Sequence, residues 1–219
     1  MSGFHWNFDN KFFTELNKLI DMFLLSLIFV VSCLPVFTIG AASTAMYYTV
    51  NKVLKRKMGY LWREYRTSFV ANFKQATGIW LIFLGIGAIM GIDFFILRGY
   101  ALEGYAWGKM YGIFFVLFVA ELAVWMYVYP NIARFENTNR QIIKNAALMA
   151  VVHLPQTLLM MVAAVALALL VYVWPVTALL VPAVYIGIKN LIMEKIFRNY
   201  MSPEDVRKEE ACDQSSDSQ

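Results

Sequence analysis

The sequence predicts an all-α protein: a polytopic bundle of transmembrane helices with five or six membrane segments, a Pro/Gly-broken hairpin near residues 35–45, and amphipathic helices on a cytoplasmic face. Three observations predict it. Of the 219 residues 60% are hydrophobic, against ~45–50% in soluble domains. Only 16% are charged, against ~25% in soluble chains. The charges are also segregated, with short clusters separating long runs that have almost none, which is the pattern a bilayer imposes.

These runs fix the elements in order. Residues 1–15 mix aromatic rings (Phe4, Trp6, Phe8, Phe12, Phe13) with Asp9, Lys11 and Glu15, which suits the headgroup level. Leu19 to Leu34 is the first deep apolar run, and Asp21 is its single charge. Val30-Val31-Ser32-Cys33 faintly resembles a lipoprotein cleavage box, but acidic residues precede the run, so a retained helix is expected. Pro35 ends it, and Pro35 to Gly40 makes a turn, because proline lacks an N–H and glycine tolerates positive φ.

Ala41 to Lys57 is helical by its three- and four-residue apolar spacing. Its uncharged part, 41–50, is too short at ~1.5 Å per residue to cross ~30 Å of hydrocarbon alone. It can return part-way from the Pro35 turn if packed inside a bundle, or lie flat. Gly59 to Lys74 predicts a separate surface helix, with Leu61, Tyr65, Phe69 and Phe73 repeating every fourth residue as a stripe for lipid or for a partner protein.

Ala76 to Leu97 is a spanning helix whose Gly85, Gly87 and Gly91 would let a neighbour approach closely. A short polar turn over 99–108 leads to the next span, Lys109 to Tyr129, which Pro130 ends or kinks. Asn131 to Asn145 is polar and basic. Ala146 to Val173 is apolar throughout, Trp174-Pro175 is a tight turn, and Val176 to Ile192 is the last span, with Pro182 inside it. Residues 1–200 thus form one membrane-helix domain, and the acidic, Ser-rich tail 201–219 is expected to be disordered.

Lysine and arginine orient the bundle. The regions 51–75 and 131–145 and the C-terminus carry most of them, so these are expected to be cytoplasmic. Six segments follow if 41–57 returns to that side; five follow, with the N-terminus outside, if it lies flat. Arg66 to Gln75 and Arg134 to Asn145 are both basic entries to a span, a weak echo that either marks an internal repeat or reflects two similar cytoplasmic entries.

The net charge of +4 is modest, and the cations sit beside apolar helices, so nucleic acid is excluded as a partner; the lipid bilayer is the expected one. The two cysteines, Cys33 and Cys212, lie in an apolar run and a polar tail, which argues against a disulfide. No metal-ligand spacing, phosphate loop, nucleophile elbow or catalytic triad appears. The chain is expected not to be an enzyme and to carry no cofactor and no metal.

Three intramembrane polar residues are candidates for a site. Glu121 lies mid-span, where an ionised carboxylate is costly; it is either a proton or cation site paired with His153, or a packing hydrogen bond. His153 lies two residues before Pro155 and can instead partner a carbonyl that the proline frees. Asp93, five residues before Arg98, suits an interfacial ion pair.

At Ser32-x-Leu34-Pro35-x-x-Thr38-Ile39-Gly40-Ala41-Ala42-x-x-Ala45 the chain resembles the YesL-like membrane family, also called domain of unknown function 624. Asn72-Phe73-Lys74-Gln75 and Tyr129-Pro130-x-x-Ala133-Arg134-Phe135 extend the resemblance to roughly residues 7–200. It marks Pro35, Thr38 and Gly40 as a family-like turn motif. The resemblance implies a bacterial cytoplasmic-membrane protein in the context of carbohydrate uptake and sugar ABC transporters. It transfers no catalytic residue. Two functions are therefore expected: an accessory or assembly component beside the permease or ATPase subunits of such a transporter, or a small secondary transporter or channel for a sugar or related solute. A homo-oligomer is a further expectation.

Overall fold

A computed structural model describes residues 10–56, 59–201 and 207. The expected interfacial residues 1–9, Cys212 and almost all of the expected disordered tail lie outside the described residues, as do the side chains of 10–18. Among the described residues every regular element is helical: α1 (Asn10–Cys33), α2 (Ile39–Thr49), α3 (Leu61–Leu102), α4 (Tyr111–Arg134), α5 (Asn139–Val152), α6 (Leu154–Val173) and α7 (Val181–Arg198). Short 3-10 turns at 36–38, 106–110 and 175–179 and a π-helical turn at 50–55 join them. Among the described residues three segments are long and apolar enough to cross a membrane: Leu61–Leu102, Ala106–Arg134 and Leu154–Val173.

The core forms around α2. Ala41, Ala42 and Ala45 are completely buried, and their small side chains let α3 and α4 approach closely. α2 runs antiparallel to the first part of α3: Gly40 sits against Ala76 and Trp80, while Lys52 beyond its other end meets Glu64. α2 is therefore enclosed by protein rather than lipid, and it is not among the three long apolar segments. The basic stretches meet one another. Lys52 pairs with Glu64, Arg134 with Glu194, and Gln75 Nε2 donates to Asn137 O at 2.7 Å. The last contact joins the two basic entries whose sequences echo each other.

Away from that cluster the packing thins. Only 11% of the most apolar window of α3 and of α6 is buried, and 17% of that of the α4 segment. Ile89, Phe95, Val116, Leu158 and Val165 are each more than half exposed, a surface that in water would be a liability and in hydrocarbon costs nothing. The α3–α4 hairpin turns on Gly104, at φ +90°. Rings gather at that turn, with Tyr100 and Trp107 centroids 4.4 Å apart, as aromatic side chains do at a membrane interface.

Several expected boundaries are corrected. The segments 59–74 and 76–97 are one continuous helix of 42 residues. No proline lies between Leu61 and Leu102, and isolated glycines do not break a helix whose backbone has no competing water. The stripe expected on lipid faces inward instead: Tyr65 is buried, and Leu61, Phe69 and Phe73 pack against the core, while Trp62 and Val70 point outward. Pro130 does not end α4, which continues to Arg134.

The apolar stretch 146–173 is two helices, broken at His153 (φ −109°, ψ 44°), because Pro155 disfavours helical backbone before it and starts α6 instead. Pro182 likewise stands in the first turn of α7 rather than inside a span. α5 begins with a capping box, Thr138 exchanging hydrogen bonds with Gln141. Of the three glycines expected at a helix contact, only Gly87 meets a neighbour; Gly85 and Gly91 face open space.

Candidate functional site

The family-like turn has a physical basis. Pro35 stops α1, and the Thr38 hydroxyl shares a hydrogen bond between the carbonyl of Ser32 (2.5 Å), in the last turn of α1, and that of Pro35 (2.6 Å), which also accepts from the Thr38 N–H. Trp80 Nε1 of α3 donates to Val36 O at 2.7 Å. Gly40 then enters α2 where a Cβ would lie 2.5 Å from Ala76 O and 2.8 Å from Trp80 Cβ. The motif therefore clamps the α1–α2 break onto α3.

The three intramembrane candidates are not brought together. Glu121 lies against Gly87, whose missing side chain makes room for the carboxylate. Neither carboxylate oxygen has a hydrogen-bond partner among the described residues. It lines a groove of about 250 Å³ between α3 and α4, walled by Trp80, Phe83, Phe118 and Trp125. His153 sits elsewhere, its Nε2 3.2 Å from Tyr200 OH. Its backbone carbonyl accepts from the Thr157 hydroxyl at 2.9 Å. Asp93 is half-buried and forms no ion pair with exposed Arg98.

The polar centre of the molecule is built from residues that sequence reasoning passed over. Glu194 of α7 is buried. Its Oε1 accepts from Tyr47 OH and from Asn51 Nδ2, both at 3.1 Å, and its Oε2 lies 3.3 Å from Arg134 Nη2. Three elements are thus joined at one carboxylate: α2 with its π-helical turn, α4 and α7. Tyr47 and Asn51 are one helical turn apart, so one face carries both donors. A recess of about 330 Å³ opens beside them, lined by Tyr48, Lys52, Arg56 and Arg134 among others. Lys52 also donates to Tyr48 OH at 3.2 Å; its pKa is raised above the ordinary lysine value, first because Glu64 accepts a hydrogen bond from its ammonium.

A second cavity lies deeper. Lys189, one and a half turns before Glu194, is 5% exposed. It lines a space of about 160 Å³ together with Phe29, Ser43, Trp125, Tyr129 and Tyr185. The sequence signal for this centre was available: Lys189, Asn190 and Glu194 interrupt an apolar helix, and Asn190 and Glu194, four apart, share a face while Lys189 lies to one side of it. Lys189 even falls inside the expected span 176–192, where a charge is a site by default.

Comparison with curated proteins and with solved structures gives no match. The family comparison covers less of the chain than the motifs suggested, but it includes the turn motif and about the first four-fifths of α3. Residues 22–94 match the family described as "Protein of unknown function, DUF624", and the chain is consistent with that YesL-like family.

Proposed function

We propose that this chain is a multi-pass protein of a bacterial cytoplasmic membrane that serves as an accessory or assembly component of a carbohydrate-uptake system, beside the permease or ATPase subunits of a sugar ABC transporter. One observation carries the reading: the three long segments leave most of their apolar surface uncovered, while the groove between α3 and α4 holds Glu121 without a partner. A carboxylate at that depth is expensive unless something completes it, and a helix of a neighbouring subunit with a donor or cation can do so. The family resemblance supplies the carbohydrate context and the bacterial membrane.

In this reading the 51–75 and 131–145 regions and the C-terminus face the cytoplasm, following the bias of lysine and arginine. Six segments enter the membrane if 39–55 returns to that side, and five if it does not. Protease access to an N-terminal tag in sealed vesicles separates the two. The functional test is purification of the tagged chain in mild detergent. A permease or ATPase subunit should co-purify with the wild type and be lost with Glu121→Leu. Recovery of nothing but homo-oligomers in repeated preparations refutes the reading.

A second reading, a small secondary transporter or channel for a sugar or related solute, is favoured by the aromatic cavity at Lys189 and by the helix break at 34–38. Solute uptake into proteoliposomes tests it. Uptake that persists unchanged in Glu121→Gln and His153→Ala removes those two residues from the pathway.

A further inference from the structure

We propose that the cavity between α2, α4 and α7 binds a small organic anion, a carboxylate on a compact ring or apolar body, with Lys189 as its counter-charge. The inference goes beyond the accessory role and stands on different residues. Lys189 is 95% buried, and no hydrogen bond or ion pair holds its ammonium among the described residues. A buried lysine without a partner is strongly disfavoured. The nearest carboxylate along its helix, Glu194, is already occupied by Arg134, Tyr47 and Asn51. The titratable groups on the cavity wall besides Lys189 are Tyr47, Tyr129 and Tyr185, and no acidic residue lines it. The cavity therefore offers one amine that becomes a counter-charge when an anion sits beside it, and no acidic group of its own to play that part.

The size and walls narrow the ligand. About 160 Å³ is room for on the order of five waters, or for one small organic molecule. Phe29, Trp125, Tyr129 and Tyr185 supply faces for a ring, while Ser43 supplies a hydroxyl; the Tyr47 hydroxyl is already donated to Glu194. Chloride or phosphate would need several donors to replace its hydration, and one ammonium beside aromatic walls does not provide them. Pro130 adds an acceptor: it lacks an N–H, so the Met126 carbonyl one turn earlier loses its helical donor, and both residues line the same space.

The test uses the full chain in detergent, with tryptophan fluorescence and thermal shift as readouts. Benzoate is the probe, benzamide its neutral counterpart, and sodium chloride and inorganic phosphate the inorganic controls. Benzoate should bind saturably at millimolar concentration, with benzamide at least ~10-fold weaker, because only the carboxylate gains a desolvated charge pair. Lys189→Met should remain folded, since it removes an unpaired buried charge, and should bind the two probes equally. Ile186→Trp, which fills the space and keeps the lysine, should bind neither. Equal binding of benzoate and benzamide by the wild type overturns the proposal. So does unchanged benzoate binding in Lys189→Met, saturation by the inorganic anions alone, or no benzoate response at all. None of these outcomes bears on co-purification with a transporter, so the two readings fail separately.

Discussion

Arg134→Ala should be among the most damaging single changes in this protein. Arg134 and Glu194 are 16% and 8% exposed at their side chains and 3.3 Å apart. Removing the guanidinium leaves a buried carboxylate with two neutral donors, Tyr47 and Asn51, and no counter-ion. Breaking a buried pair from one side costs about 3–5 kcal/mol. Glu194→Gln costs less, about 1–3 kcal/mol, because its amide oxygen still accepts from Tyr47 and Asn51 and only the charged contact is lost. For a chain of this length each kcal/mol moves Tm by roughly 2–4 °C, so Arg134→Ala should lower Tm by on the order of 10 °C in a detergent melt followed by intrinsic fluorescence. The double variant Arg134→Met/Glu194→Met should recover part of the loss, because an apolar pair has no stranded charge. Exposed Arg66 provides the control. If Arg134→Ala shifts Tm no more than Arg66→Ala does, α2, α4 and α7 are not joined at Glu194 and the polar centre has been misread.

Other substitutions follow from the same packing. Gly40→Ala drives a methyl into the Ala76 carbonyl and Trp80 and should cost about 1–3 kcal/mol, whereas Gly85→Ala, which meets nothing within 4 Å, should be neutral or slightly stabilising; paired melts compare them. Glu121→Gln should leave the isolated chain as stable as the wild type, since neither carboxylate oxygen has a partner to lose, and a clear drop in Tm would reveal a contact within the chain. Thr138→Ala removes the capping box of α5 and should cost about 1 kcal/mol, read as faster hydrogen exchange over 139–143. The raised pKa of Lys52 means that its contribution is present below the ordinary lysine value of 10.5 and is lost as pH climbs through the folded value. The stability deficit of Lys52→Gln should therefore stay constant across neutral pH and close only in strong alkali.

The apolar runs made the helical class legible, and the motif around Pro35 and Gly40 marked the α1–α2 break. What the sequence hid was which way each face points. Tyr65, Phe69 and Phe73 read as a lipid stripe because a helix that lies on a membrane and one that packs on α2 show the same period. Lys189 and Glu194 carry no mark in the sequence that tells which neighbours enclose them. Their burial depends on α2 and α4 lying over them, and that is tertiary information. The break at His153 could have been taken from Leu154-Pro155, since the residue before a proline resists helical backbone. Glu121 was visible as an intramembrane acid, but its neighbour Gly87 is thirty-four positions earlier, and spacing along the chain does not predict that contact.

The unbroken length of α3 has a mechanical consequence. At 1.5 Å per residue its 42 residues make a rod of roughly 63 Å, about twice the thickness of the hydrocarbon layer. Such a rod either leans steeply or projects well into water. Without a proline or a π-turn it has no inexpensive hinge, so it tilts as one piece. Pivoting by about 5° around its middle would displace each tip by roughly 3 Å, so a push on the Trp62 end would arrive at the Tyr100 end across the full width of the membrane.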